Sequence, residues 1–166
     1  MTQVTFQGSP IQLTGTFPAV GTQAPEFTLC GDDLSDITLA SVKGKKVVLN
    51  IFPSVDTPVC ALGVKAFNEK AASVENTVVL CISADLPFAT GRFCTAEGID
   101  NVKMASLFRS PEFAEAYGVK LAEGALRGLA TRAVVVLDEE SKVIYAELVP
   151  EITNEANYDA AIASLK

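Results

Sequence analysis

The sequence predicts an α/β fold: a central mixed sheet flanked by helices, entered through an N-terminal β-hairpin. Two observations carry that prediction. Apolar runs of strand length, Val47–Phe52 and Thr77–Ser83, alternate with segments of helical periodicity. A period-2 segment with a glycine-containing turn opens the chain. The length of 166 residues favours one domain, 1–166, and 49% apolar residues supply a sizeable core.

The elements follow in order. Val4, Phe6, Ile11 and Leu13 alternate around Gly8-Ser9-Pro10, which reads as a hairpin. Gly21 to Pro25 is a loop, Phe27 to Leu29 a short strand, and Lys43-Gly44-Lys45-Lys46 a turn. Val47–Phe52 is continuous rather than alternating, as in a strand buried on both faces, and Pro53 stops it. A helix is expected over about 59–74, with Leu62, Ala66, Phe67, Val74 and the stem of Lys70 on its apolar stripe. Thr77–Ser83 is the next buried strand. Asp85 then offers an N-cap, Pro87 a first turn and Gly98 a stop for a helix over Phe88–Glu97. Asn101–Ser106 reads as a short strand, and a helix runs from Ser110-Pro111 to Gly118. Ala133–Leu137 and Val143–Val149 form an antiparallel pair across Asp138-Glu139-Glu140-Ser141. Tyr158, Ala161, Ile162 and Leu165 give a terminal amphipathic helix. A thioredoxin-like core behind a hairpin fits this order.

Composition removes several function classes. Twenty acidic against 13 basic residues give a net charge of −7, which disfavours nucleic acid and anionic lipid as partners. The chain contains no histidine, so Ser-His-Asp and Cys-His activation are excluded. Cys30, Cys60, Cys81 and Cys94 contain no C-x₂₋₄-C pair, so no zinc site is expected, nor any other cofactor. The N-terminal residues lack a charged n-region and a continuous apolar h-region, and no apolar run approaches membrane-spanning length. A reducing cytoplasmic setting is expected, where cysteines are more often free or catalytic than structurally paired.

The informative stretch is Phe52-Pro53-Ser54-Val55-Asp56-Thr57-Pro58-Val59-Cys60. A buried strand ends, a loop stiffened by two prolines follows, and a cysteine falls in the first turn of a helix. First-turn N–H groups lack helical partners, and the helix dipole favours an anion there. A thiolate is the nucleophilic form of cysteine. By position alone Cys60 reads equally well as an inert small hydrophobe. The Thr57 hydroxyl is placed to accept from the thiol side and donate to an incoming oxygen. Without histidine, the cation beside such a thiol is drawn from Arg92, Arg109, Arg127 and Arg132. Arg132, immediately before a strand, is the best placed, and Arg109 is a weaker candidate.

Pro53-x-x-x-Thr57-x-x-Cys60 resembles the active-site signature of peroxiredoxins. Ala61-Leu62-Gly63 follows the cysteine where many members carry Pro-Thr-Glu, and no cysteine follows Cys94. The chain resembles the bacterial thiol peroxidases, an atypical two-cysteine subfamily. That resemblance extends over Leu49–Ser54, Asn76–Ala89, Arg92-Phe93-Cys94 and Ala130–Val136, and over the N-terminal hairpin. It implies that Cys60 is the peroxidatic cysteine, with Pro53, Thr57 and Arg132 shielding and activating it. It also implies that Cys94 resolves the sulfenic acid as an intrachain Cys60–Cys94 disulfide, which thioredoxin reduces. A homodimer and a preference for alkyl hydroperoxides are further implications.

Gly91 weakens the Cys94 helix by roughly 1 kcal/mol relative to alanine. Disulfide geometry needs Cα atoms within about 7 Å, so local unfolding around Cys94, and at the start of the Cys60 helix, is expected on oxidation. Closing a loop of about 35 residues is worth about 4 kcal/mol in the chain-entropy account. Cys81, mid-strand, and Cys30, at a strand end, read as inert thiols. Two rival functions remain to compare. A thioredoxin-type oxidoreductase needs C-x-x-C, and Thr57 stands where its first cysteine would be. A peroxide-sensing relay or holdase would use the same cysteines.

Overall fold

A computed structural model describes residues 2–166; Met1 lies outside the described residues. The hairpin forms as expected, with β1 (Gln3–Phe6) antiparallel to β2 (Ser9–Thr14). Its turn falls one residue earlier than expected. Gln7 and Gly8 sit at its centre with φ of 51° and 86°. A two-residue turn of this hand needs positive φ at both central positions, which Pro10 cannot supply. Pro10 instead pairs with Thr5 inside β2.

The following strands are β3 (Thr28–Gly31), β4 (Asp36–Thr38), β5 (Lys46–Ile51), β6 (Thr77–Ser83) and β7 (Lys103–Ser106). Then come β8 (Lys120–Leu121), β9 (Ala133–Leu137) and β10 (Val143–Leu148). Two of these, β4 and β8, were not expected. At three and two residues they are too short to show periodicity. The helices are α1 (Pro58–Ala71), α2 (Pro87–Glu97), α3 (Glu112–Ala116) and α4 (Tyr158–Ala163).

The main sheet is mixed, in the order β10-β9-β5-β6-β7-β3-β4. The β5, β6 and β7 strands run parallel, and the other pairings are antiparallel. Its central strands are buried on both faces, as their continuous apolar character requires. Val47, Leu49 and Ile51 face Phe113 and Tyr117 of α3. Val48, Val134 and Val136 face Cys60, Val64 and Phe67 of α1 and Ala161 and Ile162 of α4. Burying each such side chain contributes about 1.5–3 kcal/mol. Gly118 ends α3 with φ 66°, and a Cβ there would collide with the Thr16–Phe17 backbone.

The buried stripe of α1 differs from the expected one. It consists of Cys60, Gly63, Val64 and Phe67, spaced i, i+3, i+4 and i+7, whereas Leu62 is 50% exposed. The cysteine itself therefore sets the phase of the helix on the core.

Topology gathers one edge of the sheet. The β5 and β6 strands are parallel, so the segments after Ile51 and after Ser83 emerge together. The antiparallel β9 pairs Ala133 with Ile51, which brings Arg132 to the same edge. The β10 strand then returns Leu148 opposite Ala133, so residues 149–153 arrive there too.

Candidate active site

Pro53 is buried at the end of β5, and the loop behind it closes on itself. Thr57 N–H donates to the Ser54 carbonyl at 3.2 Å, and the Thr57 hydroxyl donates to the same oxygen at 2.9 Å. Pro58 then occupies the first helical turn of α1, where its missing N–H costs nothing. The first intrahelical bond runs from Ala61 N–H to the Thr57 carbonyl at 3.0 Å. The amides of Val59 and Cys60 precede it and belong to the open end of the helix.

Cys60 is 1% exposed and lies on the core face of α1. Arg132 Nη2 donates toward its Sγ at 3.4 Å. The guanidinium is itself buried, and its Nε donates to the Ile152 carbonyl at 2.8 Å. Among the described residues, Arg132 forms no ion pair with a carboxylate. The partners that the buried guanidinium does have are the Ile152 carbonyl and the Cys60 sulfur. Of the four arginines considered, Arg132 is the one the structure places beside Cys60. Arg92 and Arg127 are exposed, and Arg109 pairs with Asp36 at 2.8 Å on the surface.

Thr57 departs from its expected geometry. Its hydroxyl proton is engaged by Ser54, and no Thr57–Cys60 hydrogen bond forms among the described residues. The Ser54 carbonyl takes the proton, so the hydroxyl closes the turn and offers only its lone pairs outward.

Asp85 is the residue that sequence reading misplaced. It does not cap α2, whose N-cap is Leu86 with no side-chain bond. Its carboxylate instead accepts from Ser54 Oγ at 2.7 Å, Val55 N at 2.8 Å and Ser83 Oγ at 2.7 Å. The parallel β5–β6 pairing brings the carboxylate to the Pro53–Thr57 loop. The signal available in the sequence was an acid directly after the neighbouring parallel strand.

A cavity of about 280 Å³ opens beside Arg132. Pro53, Thr57 and Val59 line it together with Phe6, Leu129 and Ile152. Its surface is overwhelmingly apolar. A larger cavity of about 380 Å³ lies by Phe27 and Phe113, on the other face of the sheet, with no thiol or arginine in its walls.

Cys94 lies in α2, half-buried against the apolar layer that also holds Cys60. Burial pushes its thiol above the ordinary value, and nearby Asp32 adds to the effect. Both thiols are free, and their sulfurs make no hydrogen bond to each other. Only Pro87 and Thr90 of α2 are buried, whereas Phe88 is 70% exposed. The helix is tied down near its ends. Asp85 precedes it, Glu97 pairs with Lys65 of α1 at 2.7 Å, and Asn68 of α1 accepts from Asp100 and Asn101 N–H.

The other cysteines are buried. Cys81 sits in β6 beneath Asn50, whose Nδ2 donates to it at 3.6 Å, and burial pushes its thiol up to about 12. Cys30 is 1% exposed within β3, more enclosed than a strand-end reading suggested, and donates to the Gly31 carbonyl. Tyr158 was read only as a packing residue. Its hydroxyl lies 3.3 Å from where a Gly63 Cβ would stand, and its ring meets Phe67 edge-on at 5.3 Å.

A buried thiol at a helix start, held by a buried arginine at the edge of a mixed sheet, defines a cysteine-based redox protein on a thioredoxin-like scaffold. Residues 19–162 match the protein-family model described as Redoxin, and the chain belongs to that family. It is 54% identical to the thiol peroxidase of Vibrio cholerae serotype O1, over 98% of this chain and 99% of that protein. The structure of a peroxiredoxin-like protein from Aquifex aeolicus superposes with a TM-score of 0.94 at 43% identity, covering 99% of this chain and 96% of that one. A thiol peroxidase from Chromobacterium violaceum shares the fold, with a TM-score of 0.88 at 24% identity over 95% of this chain and 91% of its own.

Proposed function

We propose that this chain is a thiol-dependent peroxidase in which Cys60 reduces hydroperoxides and Cys94 resolves the product. The observation that carries this is the Cys60–Arg132 pair: a nucleophilic sulfur at an open helix end, 3.4 Å from a buried guanidinium that lacks a carboxylate partner among the described residues. The thiolate attacks the terminal peroxide oxygen. The O–O bond breaks, an S–O bond forms, and the leaving alkoxide or hydroxide takes a proton. Arg132 and the first-turn amides stabilise charge on both oxygens. Pro53 walls the pocket, and Thr57 holds its loop closed. Cys60 is then a sulfenic acid, and Cys94 displaces water from it to give the disulfide. A thioredoxin-type dithiol reduces that bond and is itself oxidised.

The apolar cavity beside Arg132 suits the carbon skeleton of an organic hydroperoxide, in keeping with the resemblance. The weakly buried α2 is the segment that gives way when Cys94 reaches Cys60. The reading takes residues 1–166 as one working domain, in the cytoplasm, and as a homodimer; the homodimer rests on the resemblance. No helix among the described residues is long and apolar enough to cross a membrane.

Peptide mapping without reductant tests the two roles together. After one equivalent of peroxide, the unaltered chain is expected to yield a Cys60–Cys94 linked peptide. Cys94→Ser is expected to hold a sulfenic acid at Cys60 that a dione probe captures. A linkage from Cys60 to Cys30 or Cys81 would contradict the assignment of Cys94.

A further inference from the structure

The hairpin β1–β2 precedes the stretch matched by the family model, which begins at residue 19. Yet Phe6 and Gln7 form part of the wall of the cavity beside Arg132. The strands of this appended element are held by pairing of β2 with β8 and by the apolar cluster of Val4, Ile11, Leu13, Leu121 and Ile152, whereas its turn is gathered by one side chain. Glu151 Oε1 accepts from Thr5 Oγ1 at 2.9 Å and Gly8 N at 2.8 Å. Its Oε2 accepts from Gln7 N at 3.2 Å, Thr153 N at 2.9 Å and Thr153 Oγ1 at 2.7 Å. The left-handed turn at Gln7 and Gly8 aims two successive N–H groups at the same carboxylate. Two backbone bonds flank it, from Thr5 N to the Pro150 carbonyl at 2.8 Å and from Ile152 N to the Thr5 carbonyl at 2.9 Å.

Glu151 does not line the cavity and makes no hydrogen bond to Cys60 or Arg132. The anchor of Arg132 is the neighbouring Ile152 carbonyl, which the guanidinium holds independently. Loss of the Glu151 side chain would therefore loosen the Phe6–Gly8 turn while β2–β8 pairing keeps the strands, and the Cys60–Arg132 pair, in place. Hydrogen peroxide has no carbon skeleton to pack against the cavity wall. A bulky apolar hydroperoxide needs the wall that its carbon skeleton packs against.

We propose that Glu151 is a positioning residue that fixes the turn of the N-terminal hairpin, and with it Phe6 and Gln7, as a wall of the hydroperoxide cavity, and so sets discrimination between bulky organic hydroperoxides and hydrogen peroxide. The proposal rests on the peroxidase reading above.

The test compares kcat/KM for cumene hydroperoxide and hydrogen peroxide in the full-length chain, with reductant in excess. Glu151→Ala is expected to lower kcat/KM for cumene hydroperoxide about fivefold, through KM, and to change that for hydrogen peroxide less than about twofold. Amide exchange at Gln7 and Gly8 is expected to accelerate in the same variant. Phe6→Ala should shift the ratio of the two substrates in the same direction, and adding it to Glu151→Ala should bring little more. Thr5→Val, which removes one donor to the carboxylate, carries the test with a smaller shift where Glu151→Ala does not fold. An unchanged ratio despite faster exchange would overturn the proposal, as would equal losses for both substrates. No turnover of either peroxide by the unaltered chain would overturn the peroxidase reading instead.

Discussion

Cys60 and Arg132 form a pair that neither residue explains alone. The cysteine is almost wholly enclosed, and the arginine is buried with one backbone carbonyl and one sulfur as partners. Arg132 uses two different nitrogens for two jobs, Nε on Ile152 and Nη2 on Cys60. A lysine has one ammonium and cannot span both. Arg132→Lys is therefore expected to lower kcat/KM for peroxide by about 100-fold, the usual scale for losing one aimed donor. Steady-state kinetics against the unaltered protein check this, and a loss under about threefold would contradict the role given to Arg132. At this scale the sequence was informative because the motif and the strand edge both named positions. It could not show that the Thr57 proton goes to Ser54, since that depends on how the loop folds back.

The elements form a clamp around the reactive loop. Asp85 stands at the joint between β6 and α2 and holds Ser54 and Val55 of the loop before α1. The joint that leads to Cys94 is thus fastened to the loop that leads to Cys60. Asp85→Ala would leave Val55 N–H and two hydroxyls without their shared acceptor, a loss of about 1–3 kcal/mol. The expected outcome is a lower melting temperature and a slower reaction of Cys60 with peroxide, read by stopped-flow. An unchanged rate constant would show that the loop needs no such fastening.

Periodicity and punctuation made the long elements legible. The runs at Val47 and Thr77, the Gly98 stop and the Asp138–Ser141 turn all appear where patterning put them. Asp85 was misread because a single acid before Pro87 satisfies the local rule for a cap. The tertiary neighbour that claims it is some 30 residues away in sequence. The phase of α1 was misread for a related reason: the small residues Cys60 and Gly63 on its core face carry little apolar signal, while Leu62 carries much and is exposed.

Across the whole molecule, the decisive fact is that strand directions bring four distant segments to one edge. Ile51 beside Ile82, Ile51 opposite Ala133, and Ala133 opposite Leu148 place the Pro53 loop, the segment after Ser83, Arg132 and residues 149–153 together. Sequence order suggested a mixed sheet but not this register, which is set by pairing across the sheet. The turn of the hairpin is held at the same edge by Glu151, whose carboxyl is held at about 2, below the ordinary value of 4.5, chiefly by hydrogen bonds from Thr153 and Gly8 N–H. Its folded value is depressed, so the ionised group stabilises the fold above about pH 4.5. That contribution falls away as the pH drops from about 4.5 towards 2. Exchange protection of the Gln7 and Gly8 amides should hold from neutral pH to about 4.5 and diminish below it. In Glu151→Gln this pH dependence should be absent.

The central claim is that one sulfur performs the peroxide chemistry and a second, in the same chain, completes the cycle. Stopped-flow peroxide consumption with a thioredoxin-type reductant tests it most directly, comparing the unaltered chain with Cys60→Ser and Cys94→Ser. The account predicts no peroxide reduction by Cys60→Ser. For Cys94→Ser it predicts a single turnover that stalls at the sulfenic acid. Sustained turnover by Cys60→Ser at the rate of the unaltered chain would contradict it.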